Sequence, residues 1–132
     1  MVSTNFDQIK KLSLEIKKIY EQINQKDYHK KWRVEDYTMG MIGDCGDLCK
    51  LIMAKNKLRR TKSKDLDKDI EHELVDILWS LIVISEELGV DLEKSAITQL
   101  NRLKLGVNKV ASNNYTTSLK SKAFLDPETS SG

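Results

Sequence analysis

The chain has 132 residues, with 22 Lys and Arg against 20 Asp and Glu, for a net charge of +2. That length fits one domain able to bury a core without disulfides, and so small a charge gives no argument for a nucleic-acid partner. One Pro and six Gly are sparse punctuation, which favours long helices over a many-turned β fold. The longest apolar run, Ile77 to Ile84, is interrupted by Ser80. It is far shorter than the ~20 residues of a membrane span. Met1 to Lys11 has no apolar signal-peptide core. Cys45 and Cys49 stand four apart on one expected helix. That suits two reduced thiols in a cytoplasmic protein better than a disulfide, with both packed as small apolar residues.

The first helix is expected from Asn5 to Gln25, because Phe6, Ile9, Leu12, Ile16, Ile19, Tyr20 and Ile23 recur at helical spacing. Thr4 is its candidate N-cap. A polar connector, Lys26 to Arg33, carries His29 and Trp32. The second helix is expected from Glu35 to Lys55, with Met41, Ile42, Cys45, Leu48, Cys49, Leu51 and Ile52 apolar. A basic loop containing Lys57, Arg59, Arg60, Lys62 and Lys64 follows. It reads as a solvated run, with phosphate binding the less favoured reading.

The third helix, Leu66 to Leu88, is the most apolar, and Gly89 stops it as a C-cap residue. Asp91 is placed to cap the fourth, which carries Leu92, Ala96, Ile97, Leu100 and Leu103. From about Gly106 the pattern fails. Residues 1–106 are therefore read as one all-α domain, a four-helix bundle, and 107–132 as a polar, flexible tail. Ile70, Leu74, Ile77, Leu78, Leu81, Ile82, Val83 and Ile84 cover more than one face of the third helix. A bundle helix needs one apolar stripe. The excess predicts a homodimer or larger homo-oligomer, unless the third helix is central to its own monomer.

Two pairs of carboxylates stand out. Asp44 and Asp47 are three apart on the second helix, and Glu73 and Asp76 are three apart on the third. At that spacing each pair shares a face, beside an apolar stripe. Like charges so placed repel, and partial burial adds a desolvation cost. A hard divalent cation relieves both, and an oxygen-only ligand set suits Mg²⁺, with Mn²⁺ as a substitute, rather than Zn²⁺. Short acidic motifs are also common on solvated helix faces. The residues alone therefore reach a candidate Mg²⁺ site between two helices, and no further.

The pattern resembles that of the MazG-like and dCTP pyrophosphatase group of all-α nucleotide pyrophosphohydrolases, ExxE followed by ExxD. Asp44-Cys45-Gly46-Asp47 stands at the first motif and Glu73-Leu74-Val75-Asp76 at the second, with 25 residues between, Leu48 to His72. Gly43 to Leu48 resembles the family's GE-x-GEL, Glu73 to Leu78 its EL-x-DVL, and Gly89-Val90-Asp91-Leu92 its entry to the last helix. Trp32 falls where the family often has a Trp. The resemblance covers roughly Trp32 to Lys104.

It implies a Mg²⁺-dependent hydrolase that converts a nucleoside triphosphate and water to the monophosphate and pyrophosphate, working as a homodimer or homotetramer. Asp44, Asp47, Glu73 and Asp76 would hold the metal, and Glu73 would orient or deprotonate the attacking water. Both Glu of the first motif are Asp here, one methylene shorter, and the family's late Lys and Arg-Tyr-Pro-like segment is replaced by Gln99, Asn101, Arg102 and Lys104. Lys55, Asn101 and Lys104 are the phosphate-binding candidates. Trp79, three residues after Asp76, is a base-stacking candidate or a core aromatic. His72 projects about 100° from Glu73 around the helix, so it reads as a supporting or surface residue. The rival readings are a phosphoribosyl-ATP pyrophosphohydrolase and a non-catalytic helical binding or regulatory protein.

Overall fold

The computed structural model describes residues 5–125. Four helices account for most of them, α1 (Asn5–Tyr28), α2 (Val34–Lys55), α3 (Leu66–Glu87) and α4 (Leu92–Leu125), and no strand occurs among the described residues. None of these helices is long and apolar enough to cross a membrane. Thr4, the expected cap of α1, lies outside the described residues.

Helix boundaries follow local chemistry. The Arg33 N–H donates to Asp36 Oδ2 at 2.8 Å, closing one half of a capping box at the start of α2. Asp65 caps α3, its Oδ1 accepting from the Lys68 N–H at 3.1 Å. Gly89, at φ +67°, ends α3 in a Schellman turn. Its N–H donates to the Glu86 carbonyl at 3.2 Å and the Val90 N–H to the Ser85 carbonyl at 2.8 Å. The same two bonds recur after α2, from Lys57 to Ala54 at 3.0 Å and from Leu58 to Met53 at 2.8 Å, with Lys57 in the left-handed position at φ +60°.

Packing divides the chain after Leu92. The first unit holds α1, α2 and α3, with α3 in contact with both others and most extensively with α2. The first unit thus packs three of the four helices. α3 is its central element, and Ile82 and Val83 are buried in it. Much of the third helix's apolar excess is thus consumed within the chain, although Leu74, Val75 and Leu81 stay exposed.

α4 forms the second unit, and it corrects the expected end at Gly106. The helix runs on through 107–125, where a flexible tail was expected. One Gly costs a helix only about 1 kcal/mol relative to Ala. The polar residues that follow find partners inside the helix. Thr116, Thr117 and Ser121 each donate a hydroxyl to the carbonyl four residues back, at 2.9 to 3.0 Å. Residues 126–132 lie outside the description.

α1 runs three residues past its expected end at Gln25. Its packing is unusual. The residues it buries are Ser13 and Asn24, while Ile9, Leu12, Ile16, Ile19 and Ile23 are exposed. It docks on α3 through polar groups. The indole Nε1 of Trp79 donates to the Ser13 carbonyl at 3.0 Å. Lys17 Nζ pairs with Glu87 at 2.7 Å and with Glu21 at 2.9 Å. Burial alone would lower the Lys17 pKa, but the hydrogen bonds its ammonium donates to Glu87 and Glu21 overcome it and hold the proton well above the ordinary lysine range. Cys45 and Cys49 are both exposed, not packed as small apolar residues, because their face of α2 receives no neighbour within the unit.

Candidate metal centre and its aromatic cavity

Where α2 and α3 pack together, carboxylate oxygens of Asp44, Glu73 and Asp76 lie within 4.8 Å of one another. Three of the four acids expected at the site are thus gathered. The i,i+3 spacing of Glu73 and Asp76 puts both on the face of α3 that meets Asp44 of α2. Asp47 is not part of the cluster. Its side chain is 56% exposed and its Oδ1 accepts from Lys50 Nζ at 3.2 Å. It stands outside the 4.8 Å group, yet its charge acts on both Asp44 and Glu73.

The cluster is electrostatically strained. Burial pushes the Asp44 carboxyl above its ordinary pKa, and repulsion from Asp76 and Asp47 adds to this. Glu73 is raised in the same way, first by burial and then by Asp44, Asp47 and Asp76. Glu73 Oε2 is buried with no hydrogen-bond donor. A buried carboxylate oxygen lacking a donor is costly, and a cation is the chemistry that relieves it. The donor set, carboxylate oxygen only, fits Mg²⁺ or Mn²⁺. His72 lies just outside, its Nε2 3.1 Å from Asp76 Oδ2, an i,i+4 contact that orients the carboxylate. This is the supporting place its helical position implied.

A cavity of about 430 Å³ opens beside the acids. Asp44 and Asp76 stand in its wall, together with the rings of Tyr20, Trp32, Tyr37 and Trp79. Those rings form one edge-to-face chain, with centroids 5.4 Å apart for Trp32–Tyr37, 5.9 Å for Tyr37–Trp79 and 5.8 Å for Tyr20–Trp79. Tyr37 is buried and anchors the chain of rings. Burial raises the pKa of its phenol, and its hydroxyl is without a hydrogen-bond partner. The volume lies within the ~300–1,000 Å³ range of small-molecule sites.

Trp79 lines the cavity, its indole bonded to the Ser13 carbonyl. Lys55 is ion-paired with Asp67. Asn101 and Lys104 lie on α4, in the second unit. Tyr37 and Tyr20 were missed as site residues. The signal for Tyr37 was the spacing Tyr37, Gly40, Asp44, three then four residues, which aligns all three on one face of α2. No family model, no curated protein and no solved structure matches the chain.

Proposed function

We propose that the protein is a Mg²⁺-dependent nucleoside triphosphate pyrophosphohydrolase of MazG-like type, converting an NTP or dNTP and water to the monophosphate and pyrophosphate. The observation that carries this reading is the shared wall. Asp44 and Asp76 belong both to the three-carboxylate cluster and to the aromatic cavity. A ligand with a polyphosphate at one end and a flat ring at the other matches that juxtaposition. A bound Mg²⁺ would neutralise charge developing on the phosphoryl oxygens.

The chain's own residues supply the rest. Asp44, Glu73 and Asp76 would hold the cation, and His72 would orient Asp76. Trp79, Tyr37, Trp32 and Tyr20 offer ring faces and edges to the base, with stacking worth about 1–3 kcal/mol per base. Glu73, whose carboxyl is raised above its ordinary pKa by burial and then by the neighbouring carboxylates, is the residue we assign to accept a proton from water. We place the enzyme in the cytoplasm, which suits two free, exposed thiols, and expect it to work as a homodimer or homotetramer.

The rival is a non-catalytic helical binding or regulatory protein that kept the fold. The Asp-for-Glu residues and the engagement of Asp47 by Lys50 favour it. A panel of ribo- and deoxyribonucleoside triphosphates, with phosphoribosyl-ATP included, separates the readings. Mg²⁺-dependent pyrophosphate release from any of them supports the enzyme. Binding without release favours the rival.

A further inference from the structure

Gly40 lies within α2, where glycine is a poor helix former because it loses more backbone freedom than any residue with a side chain. The structure gives no local reason for it. Its backbone is helical, and among the described glycines only Gly89 adopts a positive φ. No neighbouring element comes close enough to exclude a side chain. A Cβ at position 40 would meet nothing within 4 Å beyond its own stretch of α2, among the described residues.

What lies over Gly40 is the aromatic cavity. Among the described residues that line it, Gly40 is the one without a side chain. Gly43 and Gly46, also on α2, do not line it. Tyr37 precedes Gly40 by three residues and Asp44 follows it by four, so the three share a face of the helix. Asp44, at the metal end, is about 6 Å from Gly40 along the helix axis. Tyr37 belongs to the chain of rings through Trp32 and Trp79. Gly40 therefore stands between the carboxylates and the rings. A nucleotide anchored by its phosphates at Asp44 runs its sugar and base past this position.

We propose that Gly40 is a specificity-determining residue of this site, and that its missing side chain sets the size of the sugar and base the cavity admits. The inference rests on the nucleotide reading above and deepens it. A side chain at position 40 would enter open space and compete with the ligand for it. The same side chain would make α2 a better helix. Binding and stability should therefore move in opposite directions. A glycine kept for packing would show the reverse in stability, because any substituent there would force its neighbours apart.

The test compares the full chain with its Gly40→Ala and Gly40→Leu variants. The probes are α,β-imido analogues of the common deoxynucleoside triphosphates with Mg²⁺, which carry base, sugar and phosphates and resist cleavage at the α-phosphorus. Trp32 and Trp79 are the chain's two tryptophans and both line the cavity, so quenching of their fluorescence reads its occupancy. Affinity for the best-bound analogue should fall about tenfold or more in Gly40→Leu and by less in Gly40→Ala. Gly40→Ala should melt at or above the parent's temperature. The rise in melting temperature produced by Mg²⁺ alone should be the same in all three proteins, because the carboxylates are untouched.

Parent-like affinity in Gly40→Leu would overturn the proposal and leave the nucleotide reading standing. So would a Gly40→Ala variant that melts below the parent, or a loss of affinity matched by a loss of the Mg²⁺ response, which would place the damage at the metal end. Should Gly40→Leu lose its helical circular dichroism, Gly40→Ala decides. Weaker binding without a lower melting temperature supports the proposal, and unchanged binding overturns it. A parent chain that binds none of the analogues at millimolar concentration would overturn the nucleotide reading and this inference with it.

Discussion

The indole Nε1 of Trp79 on α3 donates to the backbone carbonyl of Ser13 on α1 at 3.0 Å. One ring thereby joins two helices and lines the cavity beside Asp76. The same residue is structural and, in the proposed function, base-binding.

Replacing Trp79 with Phe removes the donor and part of the ring. The lost bond is worth about 1 kcal/mol and the missing ring area adds to it. The Trp79→Phe variant should be about 1–2 kcal/mol less stable, read as a lower urea midpoint with an unchanged slope. Stability equal to the parent's would mean that the Ser13 contact does not hold α1 in place.

Asp44 and Glu73 make the metal-free protein sensitive to pH in a definite direction. Both carboxyls have raised pKa values in the folded chain. The folded state therefore binds more protons than the unfolded one as pH rises from the ordinary carboxylate range to the raised values, and stability falls across that window. The metal-free melting temperature should drop over this interval, and Mg²⁺ should restore it at neutral pH. In Glu73→Gln the pH dependence should flatten and the response to Mg²⁺ weaken. A melting temperature that rises through the same window would contradict the strained cluster.

Lys17 gives the opposite case. Its ammonium is held by Glu87 and Glu21, its side chain is only 14% exposed, and its pKa lies above the ordinary lysine value. Its contribution is complete below about pH 10.5, the unfolded value, and is lost as pH rises past that point into the raised folded pKa. Lys17→Met leaves two carboxylates facing each other at the α1–α3 contact. The cost should lie between the ~1 kcal/mol of an exposed pair and the 3–5 kcal/mol of a fully buried one. Chemical denaturation at pH 7 measures it, and a loss under 0.5 kcal/mol would show that the bridge contributes little.

Much of this architecture was legible in the sequence. Asp65 and Gly89 announce the ends of α3 because capping is local chemistry, readable without tertiary knowledge. The i,i+3 pair Glu73 and Asp76 fixes a shared face for the same reason. What failed were inferences that depend on neighbours. Periodicity identified the Ile9–Ile23 stripe of α1 but not that α3 would take the opposite, polar face. The contact of Asp47 with Lys50, one turn away, could not be read from the shared i,i+3 spacing. The continuation of α4 past Gly106 was hidden because single-residue propensities of about 1 kcal/mol are weak against hydroxyls that bond back into their own helix. The aromatic cavity draws on three helices and a connector, and no local window contains it.

The central claim joins the three-carboxylate cluster to attack on the α-phosphorus of a triphosphate. The most direct measurement is hydrolysis in ¹⁸O-labelled water with Mg²⁺, with products resolved by mass spectrometry, for wild type and for Glu73→Gln and Asp76→Asn. The account predicts one ¹⁸O in the nucleoside monophosphate, none in the pyrophosphate, and at least a hundredfold slower turnover in both variants. Label in the pyrophosphate, release of orthophosphate and diphosphate instead, or full turnover in Glu73→Gln would contradict it.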